Sequence, residues 1–398
     1  MDDQNDRVLI TVTGRDRAGI TATLTGILAD KGATLHDIEQ VVVHEQLTLC
    51  LLVGLPRSRD VLKELLFAAK ELGMELEFNA VVDGGAAGKD DRPAGQMYVI
   101  TAIGPALGAS HIHAIASTLA GEGANIEKIS RLSESSLASV EIHARLAVGG
   151  DVERLKRSLL AQAMRASFDV SLQRESLYRR SKRLVVMDMD STLIRIEVID
   201  ELARAAGVGA DVSRITERAM QGEMDYDESL RQRVALLKGL DIKVLDQIAA
   251  DLPLTEGAET LVRVLKRLGY RIAVISGGFS RAADALKRRL SLDYAFSNNL
   301  EIDDGKLTGR VVGPIVNAHR KAELLELIAQ LEGVVLDQVI AVGDGANDIL
   351  MLERAGLGIA FRAKSKLREA ADTSLSGAGL DAILYLLGIT AREIREID

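Results

Sequence analysis

Val8, Ile10 and Val12 fall at every second position near the start of the chain, a period of two that predicts a strand with one buried face. An amphipathic helix follows over Ile20 to Lys31, then further strand from Val41 to Val53 and a second helix over Val61 to Leu72. The opening segment Arg7-Val8-Leu9-Ile10-Thr11-Val12-Thr13-Gly14 recurs as Met97-Tyr98-Val99-Ile100-Thr101-Ala102-Ile103-Gly104. Lys31-Gly32-Ala33-Thr34-Leu35 likewise recurs as Glu122-Gly123-Ala124-Asn125-Ile126. A shift of roughly 90 residues is too long for a solenoid repeat and suits duplicated small domains. Each copy reads as strand, helix, two strands, helix, strand, over residues 1–84 and 96–176. Gly84 to Pro93 reads as a polar, flexible linker between them, and the basic run Tyr178 to Arg183 as a solvated joint to the rest of the chain.

From residue 184 to about 390 the pattern changes. Leu184-Val185-Val186-Met187, Arg271-Ile272-Ala273-Val274-Ile275 and Val339-Ile340-Ala341-Val342 are short apolar runs suited to strands covered on both faces, with a helix predicted over Ala318 to Leu331. Between 197 and 256 the periodicity turns helical, in Val198 to Leu202, Ile215 to Met220, Leu230 to Leu237 and Val244 to Ala249, which predicts a helical cap inserted after the first strand. Asn299 to Val311 reads as a hairpin turning at Asp304-Gly305, and Gly379 to Leu387 as a closing helix. The expected fold is thus α/β, a parallel sheet with a helical cap, preceded by two α+β units.

With 398 residues the chain exceeds one typical core, and 47% hydrophobic with 27% charged residues is ordinary for a globular protein. The single Cys50, in an apolar run, has no intrachain partner and is expected to fill a core in a reducing compartment, which points to the cytoplasm. No apolar run reaches about 18 residues, and the acidic start Met1 to Asp6 lacks the features of a signal peptide, so no membrane span is expected. A net charge of −9 without a basic, aromatic-laced patch argues against a nucleic-acid partner.

The polar residues after the three apolar runs carry the chemistry. Asp188-Met189-Asp190-Ser191-Thr192 follows the first, Ser276-Gly277-Gly278 the second, and Gly343-Asp344-Gly345-Ala346-Asn347-Asp348 the third, while Lys321 lies on the helix between the last two. Ligands of open parallel sheets bind outside the carboxyl ends of the strands, where all of these groups fall. Any one motif alone fits an exposed acidic turn, a serine cap or a solvated lysine equally well. Carboxylates gathered about 4 Å apart repel by about 4 kcal/mol per pair at an effective dielectric of 20, so the set calls for a cation, and an all-oxygen donor set suits Mg²⁺.

In this order the four motifs resemble those of the haloacid dehalogenase superfamily of phosphohydrolases, which implies a Rossmannoid sheet. Ser191 to Leu202 and Glu228 to Leu237 further resemble the phosphoserine phosphatase family. That resemblance implies Asp188 as nucleophile, Asp190 as general acid and base, and Mg²⁺ on the Asp188 and Asp344 carboxylates and the Asp190 carbonyl, supported by Asp348. It implies phosphate and substrate contacts from Ser276, Gly277, Lys321 and Asn347, a Glu197 partner for the substrate ammonium, an Arg233 clamp on its carboxylate, and pocket walls from Met220 and Tyr226. Many relatives carry phenylalanine where Tyr226 stands, and Glu197 with Arg233 also fits a solvent-exposed pair. Gly14-Arg15-Asp16-Arg17-Ala18-Gly19-Ile20 resembles the entry loop of ACT domains, ferredoxin-like amino-acid sensors. It points to an effector site at Asp16 and Gly19, with Asn125 of the second copy as a contributor and Gly104 to Ser110 lacking the Asp-Arg pair. The expectation is a Mg²⁺-dependent hydrolase of O-phospho-L-serine, the last step of serine biosynthesis, regulated by serine or another amino acid and dimerising through its ACT-like units. A phosphotransferase, a phosphatase of other small esters, and an amino-acid sensor with an inert catalytic half stay open as alternatives.

Overall fold

Four strands form the first body, within residues 1–92: β1 (Asp6–Arg15), β2 (Thr34–Val43), β3 (Gln46–Leu55) and β4 (Glu75–Ala80). The computed structural model describes residues 6–55, 60–81, 94–134, 138–363, 367–368 and 371–397. The strands pair antiparallel in the order β2-β3-β1-β4, with helices Ile20–Asp30 and Asp60–Glu71. Val8, Ile10 and Val12 meet Leu47, Leu49, Leu51 and Val53 in one core with Leu24 and Leu65 of the helices, as the alternation predicts. Cys50 departs from expectation. It lies between buried Leu49 and Leu51 on β3, so its side chain takes the opposite face of the sheet and is only half-buried. The linker over Gly84 to Pro93 lies outside the described residues.

The second body, residues 93–398, repeats that arrangement in β5 (Gly95–Ile103), β6 (Ala124–Arg131), β7 (Ser139–Ala147) and β8 (Asp169–Arg174), with helices Ala109–Gly121 and Val152–Ala166. It then continues into β9 (Leu184–Met187), β10 (Arg271–Phe279), β11 (Tyr294–Asp303), β12 (Lys306–Val312), β13 (Val339–Gly343), β14 (Leu357–Phe361) and β15 (Thr373–Leu375). All eleven strands form one sheet in the order β12-β11-β10-β9-β13-β14-β15-β8-β5-β7-β6. β9, β10, β11, β13, β14 and β15 run parallel, and β9 sits between β10 and β13. Alternate residues face opposite layers. Val185 and Met187 join the core beneath the cap, while Leu184 and Val186 pack with Leu324, Leu325 and Ile328 of helix Ala318–Leu331.

The cap comprises helices Val198–Ala205, Gly209–Met220, Tyr226–Ala235 and Ile242–Ala250. Its two connections run side by side: Ile194 bridges Leu254, and the Thr255 hydroxyl donates to the Thr192 carbonyl at 2.6 Å. The predicted hairpin is β11 with β12, turning at Asp304-Gly305. The predicted closing helix is a 3₁₀ turn, Leu380–Ala382, followed by the short helix Ile383–Leu386.

The basic joint is only partly solvated: Tyr178, Arg180 and Arg183 are exposed, whereas Arg179 and Lys182 are buried. β15 pairs antiparallel with β8, so the second small unit and the parallel sheet share a buried seam. Thr373 donates to Ser171 at 2.6 Å, and the Gln173 amide donates to the Leu386 carbonyl at 3.0 Å. Lys182 is buried and donates to the Asp337 carbonyl at 2.6 Å, and burial pulls its ammonium down to about 8. Arg179, also buried, pairs with Glu141 of β7, which accepts a second bond from His143 at 2.8 Å. Burial alone would raise the Glu141 carboxyl, but Arg179 and His143 outweigh it and hold it below the ordinary range. Removing one member of such a pair strands the other. Arg179→Met should therefore lower stability by about 3 kcal/mol in denaturant titration, and adding Glu141→Gln should recover part of the loss. An Arg179→Met variant as stable as the parent would show that the seam does not depend on the pair.

Candidate active site

The connection from β9 to β10 passes to one side of β9 and the connection from β11 and β12 to β13 returns to the other, so a crevice opens at the carboxyl ends of these three strands. Asp188 directly follows β9, with its backbone N–H donating to the Val342 carbonyl of β13 at 2.9 Å. The chain then turns sharply. Asp190 is extended, and Ser191 takes a left-handed conformation with φ of 58°, a conformation sparsely used by residues other than glycine. This turn leaves Asp188 and Asp190 both buried at the mouth of the sheet.

Lys321 comes in from the first turn of helix Ala318–Leu331, whose start is capped by Asn317. Its ammonium is fully buried and donates to Asp188 Oδ1 and Asp348 Oδ1, each at 2.6 Å. Burial opposes that charge, but the two carboxylates outweigh it and raise the lysine above its ordinary range. Asp348 also accepts the Gly345 N–H at 3.1 Å, which folds the loop after β13 back on itself. Asp188, Asp344 and Asp348 bring carboxylate oxygens within 4.8 Å of one another. Burial, followed by the neighbouring Asp348, pushes Asp344 up to about 7, and burial raises Asp188 well above its usual value despite the pull of Lys321. Three carboxylates thus face one ammonium. The excess negative charge and the hard oxygen donors fit a divalent cation of the Mg²⁺ type.

Both oxygens of Asp190 are held. Oδ1 accepts the Val198 N–H at the start of the first cap helix at 2.9 Å, and Oδ2 accepts the Ser276 hydroxyl at 3.1 Å. Burial and then Glu197 raise this carboxyl to about 7, with the two hydrogen bonds pulling the other way. Glu197 accepts the Ser191 hydroxyl at 2.8 Å. It retains exposed surface but stands in a crowded recess whose poor solvation lifts its carboxyl, while Arg233 draws it down. Tyr226 reaches from the cap into the same recess, donating to the Gly277 carbonyl at 3.3 Å, and burial pushes its phenol up to about 12. Arg233 donates to the Ser229 carbonyl at 3.3 Å, with its guanidinium half-buried. Asn347 folds over Gly345 in the loop beside Asp344. The side chain of Met220 lies outside the described ones.

In the first body, Asp16 and Gly19 line an open recess of about 410 Å³ with Arg17, Thr21, Gln40 and Leu47. Asn125 lies in the second body, exposed on edge strand β6 opposite Arg145 of β7. Thr192 of the first motif donates to Asp344 at 3.3 Å. Two further groups shape the site without having stood out in the sequence: Asn317 donates to Asp227 of the cap at 3.0 Å, and Asn298 donates to the Gly277 carbonyl at 2.7 Å. The Asn298-Asn299 pair at the entry to the predicted hairpin was the available signal, because a strand asparagine buried without partners is costly.

A haloacid dehalogenase-like hydrolase model matches residues 182–356, and ACT domain models match residues 6–79 and 97–173. Phosphoserine phosphatase of Streptomyces coelicolor is 44% identical over 98% of this chain and 94% of its own. Phosphoserine phosphatase SerB2 of Mycobacterium tuberculosis is 44% identical over 98% and 95%. Among solved structures, a probable phosphoserine phosphatase from Vibrio cholerae is 35% identical and superposes with a TM-score of 0.59, over 76% of this chain and 90% of its own. From the four converging motifs, the cap and the duplicated small units, together with these likenesses, it follows that the chain belongs to the phosphoserine phosphatase family of haloacid dehalogenase-like hydrolases, in the form with two ACT domains.

Proposed function

We propose that the chain hydrolyses O-phospho-L-serine to L-serine and phosphate through an aspartyl-phosphate on Asp188, closing serine biosynthesis in the cytoplasm. The observation that carries this reading is the buried Asp188 carboxylate, aligned by Lys321 at 2.6 Å, with Asp190 on the same turn under the cap. Asp188 attacks phosphorus in line while Lys321 offsets charge on the phosphoryl oxygens, helped by Gly277 and Asn347, and the Ser276 hydroxyl donates to Asp190. Asp190, poised near neutrality, gives its proton to the departing serine oxygen and later takes one from the attacking water. Asp188 and Asp344, with the Asp190 carbonyl and Asp348 behind them, would hold Mg²⁺, which when bound supplies a Lewis acid for the phosphoryl oxygens. Glu197 and Arg233, which attract each other across the recess, match the ammonium and carboxylate of a free amino acid, and Tyr226 forms part of its wall. An assembled site of this kind weighs against an inert catalytic half.

The ACT units are proposed to bind an amino acid, serine being the product and the natural effector. Support comes from the recess at Asp16 and Gly19, where helix Ile20–Asp30 starts without a side-chain cap and leaves N–H groups for a carboxylate. Edge strand β2 exposes Leu35, Ile38, Val41, Val42 and Val43, a surface suited to pairing two chains into a homodimer.

Asp188→Asn should remove turnover and any hydroxylamine-sensitive phosphoenzyme, and chelation of divalent metal should reproduce the loss of turnover reversibly in the parent protein. Appreciable phosphoserine turnover by the amide variant would rule out the covalent route. Arg233→Ala should raise KM for phosphoserine by about 10-fold or more, while an aryl phosphate without an amino-acid head is affected far less; equal losses on both would make Arg233 a support of the cap. In steady-state kinetics L-serine should inhibit with a component that added phosphoserine cannot relieve, and Asp16→Ala should leave only the competitive part. Unchanged mixed inhibition in that variant would move the effector away from the recess.

A further inference from the structure

The two glycines after Ser276 form a peptide gripped from two directions. β10 leaves register with β11 between Ile275 and Phe279, so the Gly277–Gly278 peptide bulges out of the ladder at the site. Asn298, fully buried on β11, donates from Nδ2 to the Gly277 carbonyl at 2.7 Å and accepts the Val316 N–H on Oδ1 at 2.8 Å. These two partners fix which way its amide points, since a carbonyl needs the NH₂ and an N–H needs the oxygen. Tyr226 donates to the same carbonyl from the cap at 3.3 Å. On the other side of the peptide, the Gly278 N–H donates to Ser276 Oγ at 2.8 Å. The serine hydroxyl accepts Gly278 on one of its two lone pairs and donates its single proton to Asp190 Oδ2 at 3.1 Å.

We propose that Asn298 and Tyr226 are positioning residues that clamp the Gly277–Gly278 peptide from core and cap, and through Ser276 aim the Asp190 carboxyl at the leaving oxygen. The inference rests on the role proposed above for Asp190. The cap thereby reaches Asp190 by two routes, directly through the Val198 N–H on Oδ1 and indirectly through Tyr226 on Oδ2. Asn298 makes the shorter bond and carries the larger share.

The test separates proton donation from general structural support by the leaving group. Phosphoserine releases an alkoxide that needs a proton, whereas 4-nitrophenyl phosphate releases a stable phenolate that does not, and kcat/KM reports phosphoenzyme formation for both. Asn298→Asp keeps the acceptor for Val316 and loses the donor to Gly277. It should lower kcat/KM for phosphoserine by about 10- to 100-fold through kcat, and that for the aryl ester by no more than about threefold. Tyr226→Phe keeps the ring and should show the same selectivity at about three- to tenfold, which preserves the test if the Asn298 variant does not fold. Equal losses on both esters, no loss on either, or an effect confined to KM would overturn the proposal. Asp190→Asn serves as the reference. If it shows the leaving-group dependence and the clamp variants do not, the clamp alone is wrong; if it shows none, the assignment of Asp190 fails and the clamp falls with it.

Discussion

One buried ammonium makes the site possible. Asp188 and Asp348 would repel each other and resist burial, and Lys321 between them at 2.6 Å from each lets both remain at the bottom of the crevice. An isolated buried ion costs several kcal/mol, so the lysine and the carboxylates each require the other. The need reaches back into the fold. Lys321 arrives correctly because Asn317 caps the helix that carries it, and the Asn317 amide also donates to Asp227 of the cap. The helix start therefore serves both the charge balance and the seating of the cap.

The parallel strands supply the rest of the geometry. With β9 between β10 and β13, the Asp188, Ser276 and Asp344 positions become neighbours although they are far apart in sequence. On the far side of β13 only β14 and β15 intervene before β8 of the second ACT unit. Ser171 to Thr373, Gln173 to Leu386, and Asp169 accepting the N–H groups of Ser376 and Gly377 tie that seam with side chains as well as a ladder. A rearrangement of the second ACT unit must either be transmitted through this seam or break it, because buried hydrogen bonds left unpaired are costly.

Local pattern made much of this legible. The alternation at Val8, Ile10 and Val12 and the short apolar runs at β9 and β13 define strands on their own, and the polar residues at the ends of those runs mark the crevice. What local pattern does not encode is which strand lies beside which. The pairing of β15 with β8 buries Arg179 and Lys182, residues whose composition reads as solvated. The face of β3 that the two helices cover decides that Cys50 points away from the core, although its run is apolar throughout. Asn298 is similar: its worth lies in a carbonyl of a different strand, brought close by the β10 bulge.

The glycines of the second and third motifs are explained by closeness. A Cβ on Gly278 would stand 2.5 Å from Asp190 Oδ2, one on Gly343 would stand 2.4 Å from Asp348 Cγ, and one on Gly277 would stand 2.0 Å from the Tyr226 hydroxyl. None of these distances is compatible with a methyl group, and in each case the atom displaced belongs to an acid of the crevice or to the cap residue resting on it. Gly343 and Gly278 let Asp348 and Asp190 come up against the strands that carry the motifs, which keeps their oxygens within reach of Lys321 and Ser276. Gly277 does the same for the cap, admitting Tyr226 to its own carbonyl. The absence of a side chain at three points is thus as necessary to the arrangement as the charged side chains it brings together.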